Sequence, residues 1–384
     1  TKSISAGCCM RSVVLNTSIY TLDKVRSYIL SKTLQYQFIR SIYLDRGTRT
    51  ILSFSFSLLF NLFLVLFYPL HTLVYSALLL GVPHMISSFR YSFYQLDENF
   101  AEKKFFFLFV FAGLFVFFGG DVCGFLLGKT AWRAYAGFFE QELKLISAAS
   151  FGVVLGVYYR KSLTKIAFLT YGLFLCIIWL LWSQFYFTLG IFSMVHSLVA
   201  FFYWLKSAQT LRERKIALFC FLIFMIINFF IIAGVFDSLA LITQPEIEVM
   251  GANGFEMLFL GHKILPWTIH YSYLQRAVMV LAFGQGLHYF LWLKIIPELH
   301  NKVKSPISFL GSYRSIRKDI GHKTLNIFLA LFLVILALWV LSLDIALNVF
   351  FSFGFLHIYI EMICLLYFFS RKKFTENILR QDSR

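Results

Sequence analysis

Charge is scarce along this chain. Asp, Glu, Lys and Arg make up 14% of its 384 residues, about half the share of a soluble domain, and too little polar surface to solvate a fold of this size in water. Proline is rarer still, with six in the whole chain, so long apolar runs pass without helix breakers. Cysteine excludes more than it suggests. None of the six forms a CxxC pair, which removes a zinc ribbon and a thioredoxin-type redox site. Cys123, Cys176, Cys220 and Cys364 fall in or beside apolar runs, where a thiol packs as a small hydrophobe. Cys8-Cys9 is either an acylation site or a pair without a role. No internal repeat stands out and no nucleic-acid motif accompanies the net charge of +16. A cleavable signal is not expected, because the first long apolar run begins only at Ile51.

What is abundant is apolar surface. Hydrophobic residues are 59% of the chain and the mean hydropathy is +0.74. Ten apolar stretches approach the roughly 20 residues a helix needs to cross a hydrocarbon core. They lie at 51–68, 70–89, 105–127, 143–159, 165–187, 188–205, 216–236, 273–296, 325–346 and 348–370. The expected fold is therefore an all-α polytopic membrane helix bundle of about ten transmembrane helices. Residues 1–50 form a basic, amphipathic cytosolic segment, 51–370 the transmembrane domain and 371–384 a basic cytosolic tail. Short connections at Pro69, around Phe187-Thr188 and at Ala346-Leu347 predict tight antiparallel hairpins.

The charges orient the bundle. With the N-terminus in the cytosol and sides alternating, 30 of the 35 Lys and Arg residues fall on the cytosolic side. Lys129, Arg133, Lys144, Lys263 and Arg276 alone lie at or near the outer side, among Asp121, Glu140, Glu142, Asp237, Glu246, Glu248, Glu256 and Asp344. A miscounted span would scramble that asymmetry, so both termini are placed in the cytosol, in the cell inner or plasma membrane. The net charge is mostly a topology signal. In the N-terminal segment, Leu22, Val25, Tyr28 and Ile29 have helical spacing, with Lys24, Arg26 and Lys32 on other faces. This reads either as a helix on the membrane surface or as one packed on the cytosolic ends of the bundle. The basic stretch 298–324 suits anionic lipid head groups. The outer loop 237–272, apolar and broken by Pro245 and Pro266, can dip into the membrane or cover the bundle.

Histidine carries the chemistry. His84, His196, His288 and His357 fall in spans two, six, eight and ten, all running outside to inside, while the odd-numbered spans hold none. At about 1.5 Å per residue they sit roughly 12–23 Å below the outer boundary of a ~30 Å core, depths compatible with one layer. Glu361 follows His357 by four, on the same face, and is the one acid set deep in a span. Gln285 precedes His288 by three and Ser87 follows His84 by three. Pro83 kinks its helix beside His84 and frees a carbonyl. Imidazoles on separate helices with a carboxylate are ligands for iron, copper or zinc, and bundle cores house such sites. The four histidines are thus candidate metal ligands. Glu361 is the candidate catalytic residue, orienting an imidazole, adding a ligand or relaying a proton. His71, His262 and His270 lie at or beyond the outer boundary, and His262 and His270 read as solvated loop residues, as the lining of an entry path, or as ligands of a second metal. His300 and His322 belong to the basic cytosolic stretch and have no assigned role.

Gly81-Val82-Pro83-His84, with histidines in later spans, resembles the Brp/Blh membrane family of β-carotene 15,15'-dioxygenases. The resemblance implies a polytopic fold, non-haem iron held by intramembrane histidines, and oxidative cleavage of a carotenoid to retinal. It covers one tetrapeptide and the general layout. Ser88-Phe89 stands where the family's Asp-His pair would follow, so His84 alone carries over as an iron ligand.

The expected function is a histidine-ligated metal oxygenase or oxidoreductase of the membrane, with iron as cofactor, acting on a lipid-soluble substrate of lipid or isoprenoid type. Three alternatives stay open. A proton- or ion-coupled transporter would use the same His and Glu residues as a relay. A haem-binding electron carrier would use two of the histidines axially. A non-catalytic subunit would anchor partners through the basic face.

Overall fold

The helices that begin at Arg46 and Leu211 start about a turn before hydropathy alone would start them, because caps and not apolar residues set the boundary. In the computed structural model of the protein, residues 19–94, 185–240, 271–301, 305–306 and 308–341 are described, with Ala346, His357 and Glu361. Helix α1 covers 19–33, α2 Gln37–Leu44, α3 Arg46–Phe67 and α4 Pro69–Tyr94. Then come α5 Phe185–Ser207, α6 Leu211–Ile232, the short α7 Asp237–Ala240 and α8 Tyr271–Phe290. A π-helical turn, Leu291–Ile295, joins α8 to α9 Ile296–His300, and α10 Phe309–Ile320 and α11 His322–Leu341 follow. No strand occurs among the described residues.

The caps are local and specific. Asp45 accepts from the Thr48 N–H to open α3. Thr210 and Glu213 close a reciprocal capping box on α6. Ser308 accepts from the Gly311 N–H at 3.0 Å to open α10. Tyr68 alone separates α3 from α4, with Pro69 opening α4 where its missing N–H costs nothing, so the hairpin expected there is present. Around Phe187-Thr188 the described helix α5 begins at Phe185, and the residues before it lie outside the described ones. The Ala346-Leu347 connection, spans three and four, most of span five and the outer loop beyond Ala240 lie outside the described residues.

Five helical stretches are long and apolar enough to cross a membrane: Arg46–Phe67, Pro69–Tyr91, Leu211–Ile232, Gln275–His300 and His322–Leu341. Burial ranks them. In the stretch containing α8 most of the apolar window is buried, whereas Phe56, Leu59 and Phe63 on α3, and Leu222, Met225 and Phe229 on α6, are exposed. Such stripes would be a liability in water and suit a hydrocarbon surround. Helix α8 is the centre, packed against α3, α4, α5 and α6. Its glycines permit that. A Cβ on Gly286 would collide with the Asn61 amide, whose Nδ2 donates to the Phe283 carbonyl at 2.8 Å.

One end of the bundle is basic and cross-linked. Arg212 pairs with Asp45 at 2.9 Å, Arg49 with Glu298 at 2.6 Å, Lys294 with Glu298 at 3.2 Å and Arg90 with Asp319 at 2.6 Å. At the opposite end Arg276 is the one Lys or Arg among the described residues, and it pairs with Asp237.

Asp45 makes the cross-linked end sensitive to acid. The Thr48 hydroxyl, opposed by partial burial and helped by the Thr48 N–H and the Arg212 guanidinium, holds the Asp45 carboxyl down at about 2. A depressed carboxylate contributes stability above its unfolded value near 3.8 and loses it as pH falls toward 2. Asp45→Asn should therefore melt below the unaltered protein at pH 6. The gap should close between pH 4 and pH 2, read from paired thermal scans in detergent across that range.

Candidate metal centre

Three helices and one further helical segment converge at mid-length. Helix α4 brings His84 and Ser88, α5 brings His196, and α8 brings His288 and Tyr289. His357 and Glu361, both helical and one turn apart, complete the group. The histidines that sequence separates by more than 270 positions present ligand atoms that all lie within 4.8 Å of one another, and all four are buried. Ring centroids are 4.4 Å apart for His196 and His288, 4.5 Å for His84 and His357 and 5.1 Å for His84 and His288.

His84 is set up from within its own helix. Pro83 provides no N–H to the preceding turn, and the His84 Nδ1 lies 2.6 Å from the Gly81 carbonyl. A carbonyl only accepts, so Nδ1 carries the proton and Nε2 is left as a bare lone pair. That is the tautomer a metal-bound imidazole takes when its other nitrogen is tied to main chain. The Tyr289 ring lies over His84 at 4.3 Å and fixes its plane.

Glu361 is fully buried. One oxygen, Oε1, lies 3.0 Å from His357 Nε2 and accepts a short bond from the Ser88 hydroxyl. The other, Oε2, lies 3.2 Å from His196 Nδ1, though neither atom has a well-aligned hydrogen bond. No Lys or Arg pairs with Glu361 among the described residues. A carboxylate in such a place needs a compensating positive charge. Protonated imidazole or a cation held by the rings can supply it.

The donor set fits a metal. His84 Nε2 and His357 Nε2 face each other at 2.9 Å. His288 is more telling: both ring nitrogens are buried without a hydrogen bond of normal geometry, the Ser197 main chain being the polar group beside them. An unpaired buried polar atom costs roughly 1–3 kcal/mol, so a ring carrying two has a partner to gain. Metal–imidazole bonds of about 2.0–2.1 Å put donor atoms no more than about 4.2 Å apart. The cage therefore closes on an ion with shifts under about 1 Å. Four buried histidines in this arrangement can bind a metal ion.

Not every expected neighbour takes part. Gln285 turns away and donates to the Leu73 carbonyl and the Ser76 hydroxyl, both at 3.0 Å, tying α8 to α4. The Ser87 hydroxyl donates to the Trp292 carbonyl inside the π turn. That turn starts three residues after His288, and its widened backbone leaves carbonyls that need outside donors. His71 packs between the Tyr68 and Tyr75 rings, away from the cluster. His300 lies against the Tyr91 ring and His322 beside Asn326. His262 and His270 lie outside the described residues. The participants the sequence did not single out are Ser88 and Tyr289. Ser88 could have been found, since it sits four residues after His84 on the same face. Tyr289 had no such signal.

Comparisons with protein-family models, with curated proteins and with solved structures find no match for this chain.

Proposed function

We propose that the protein is a membrane metalloenzyme of about ten spans with both termini in the cytosol. In this reading His84, His196, His288 and His357 hold one iron, and the enzyme oxidises a lipid- or isoprenoid-type substrate. The observation that carries it is His288, whose two buried nitrogens lack partners beside three more imidazoles and an uncompensated carboxylate. Nitrogen donors without thiolate suit iron, and a dry site between helices suits an oxidative task. Iron, when bound, supplies the redox chemistry by which dioxygen attacks an electron-rich substrate. Cleavage of one carbon–carbon double bond by dioxygen balances without an outside reductant, one oxygen atom ending in each carbonyl product. The resemblance to the Brp/Blh family at Gly81–His84 favours an unsaturated isoprenoid. Where that family would place an aspartate, Ser88 instead bonds the Glu361 carboxylate.

The chain's own groups have distinct tasks. The Gly81 carbonyl and the Tyr289 ring hold His84 with Nε2 inward. Ser88 fixes Glu361, whose Oε2 lies beside His196 Nδ1 and takes up or returns a proton there, while Oε1 meets His357 at Nε2, the nitrogen that also faces His84. Val82, Phe283, Leu287 and Trp292, all fully buried, exclude water from the helix interface around the centre. A site at mid-length is reached from the bilayer, which selects a lipid-soluble substrate.

A second reading, proton- or ion-coupled transport, draws on the short His84–His357–Glu361 chain. One experiment separates the two. Protein purified in detergent should carry about one iron per chain by elemental analysis and show no Soret band. A Soret band would turn the reading to haem. Metal-free, colourless protein that moves protons in liposomes would replace the enzyme with the transporter. Glu361→Gln, which keeps the shape and removes the charge, should weaken iron binding about 10–100-fold, the usual worth of a carboxylate behind ligand imidazoles. Unchanged affinity, read by competition with a chelator, would remove Glu361 from the site.

A further inference from the structure

Helix α1 is amphipathic the wrong way round for a helix packed on a protein. Ile19, Asp23, Arg26, Leu30 and Thr33 occupy one arc and are the half-buried residues. Their polar members make the attachment. Asp23 accepts from the Phe309 and Leu310 N–H groups at 2.8 and 2.9 Å, adding to the cap of α10. Arg26 donates to the Tyr43 hydroxyl at 3.1 Å and to the Pro306 carbonyl at 2.9 Å. A second arc, Tyr20, Lys24, Ser27 and Ser31, is exposed and largely polar. The third holds Leu22, Val25 and Ile29, each 53% exposed, and Tyr28 at 67%. Three arcs with three surroundings are what a helix needs at a boundary between protein, water and lipid.

The neighbours extend that boundary. Phe38 on α2 is 75% exposed and Phe309 at the start of α10 is 51% exposed. On α10, Arg314, Arg317 and Lys318 are exposed along one arc. The opposite arc holds Ser315 and Asp319, which receive Arg90 from the end of α4 at 2.6 and 2.8 Å. All of this lies at the basic end of the bundle, level with the ends of α3 and α4.

We propose that α1, α2 and α10 form a collar at the head-group level of an anionic leaflet. Leu22, Val25 and Ile29 enter its acyl region, and Arg314, Arg317 and Lys318 hold its phosphates. The charge pattern selects the occupant. An apolar stripe alone would serve a protein partner, but here Lys24 and Lys32 are exposed on the same helix and Arg314, Arg317 and Lys318 on α10, while the acids are already paired, Asp23 with α10 and Asp319 with Arg90. The collar is also fastened, through Arg90, to the helix that carries His84.

The test uses the full chain in nanodiscs of mixed phosphatidylglycerol and phosphatidylcholine. A fluorescent amino acid at Val25 should be quenched by lipids with a shallow nitroxide and shielded from aqueous iodide, whereas one at Ser27 should show the reverse. Native mass spectrometry of released protein should find phosphatidylglycerol retained over phosphatidylcholine. The triple variant Arg314→Gln/Arg317→Gln/Lys318→Gln should lose most of that preference while keeping its melting temperature. A Val25 probe open to iodide would mean the stripe is solvated. One reached by neither quencher would mean that protein, such as a second copy, covers it. Either result overturns the proposal, as does equal retention of the two lipids by the unaltered chain.

Discussion

His288→Leu is expected to abolish metal binding, lowering affinity by more than the ~100-fold that outer partners are worth, while the metal-free fold stays as stable as before or gains. The sign of the second effect makes the test sharp. Most buried histidines are anchored by hydrogen bonds, and removing one loses a bond and strands its partner. His288 has no such bond at either nitrogen. Its surroundings are the His196 and His84 rings and, at 6.0 and 6.4 Å, the Tyr289 and Trp292 rings. Leucine approximates the volume of imidazole and takes no desolvation penalty, so metal-free protein should melt at the same temperature or higher. In iron-loaded samples the order should reverse, because a ligand that binds only the folded state stabilises it in proportion to its affinity. Elemental analysis and paired thermal scans with and without chelator read both effects. A variant that retains one iron per chain would remove His288 from the centre, and a metal-free variant that melts well below the unaltered chain would make it a packing residue.

The convergence of the four histidines was legible because membrane insertion penalises polar side chains so heavily. An imidazole or a carboxylate in an apolar span stands out against its neighbours, and span alternation supplies its depth. His84, His196, His288, His357 and Glu361 could be read this way from cost and depth alone. Residues of mixed character could not. Gln285 shares a face with His288, but α8 is surrounded by helices, so the same arc also meets α4, and the Leu73 carbonyl takes its amide. Ser88 looked like a small helix residue because a hydroxyl in a helix is usually satisfied by its own backbone. The π turn after His288 has no composition signature, since it inserts one residue into a helical run that no glycine or proline interrupts. For α1, the spacing of Leu22, Val25 and Ile29 identified an apolar face without saying what it faces. That depended on Asp23 and Arg26 reaching residues 306–310, almost 300 positions away.

Glu298→Leu is expected to destabilise the basic end by about 3–5 kcal/mol, the range for a buried charge stripped of its partner. Arg49 at the start of α3 is 8% exposed and Glu298 on α9 is equally buried. The Arg49 Nε donates to Glu298 Oε1 at 2.6 Å, the Nη2 lies at 2.6 Å from the same oxygen, and Nη1 reaches the Tyr43 carbonyl. Lys294 approaches the second oxygen at 3.2 Å from the last part of the π turn, but it is 44% exposed and can turn to water when the carboxylate is gone. Arg49 cannot, because its guanidinium is enclosed between α3 and α9. The double variant Arg49→Met/Glu298→Leu removes both charges and fills the space with apolar volume, and should recover most of the loss. The coupling between the two positions, read as the difference between the double change and the sum of the singles, should exceed about 1 kcal/mol, as expected for residues in one ion-pair network. Unfolding in mixed detergent micelles titrated with dodecyl sulfate measures all four corners of the cycle. Additive losses would mean that Arg49 and Glu298 each serve other partners. In that case the strong link between the entry of α3 and the helix that follows His288 would lie instead in Arg46, which donates to the Asn301 carbonyl at 2.6 Å.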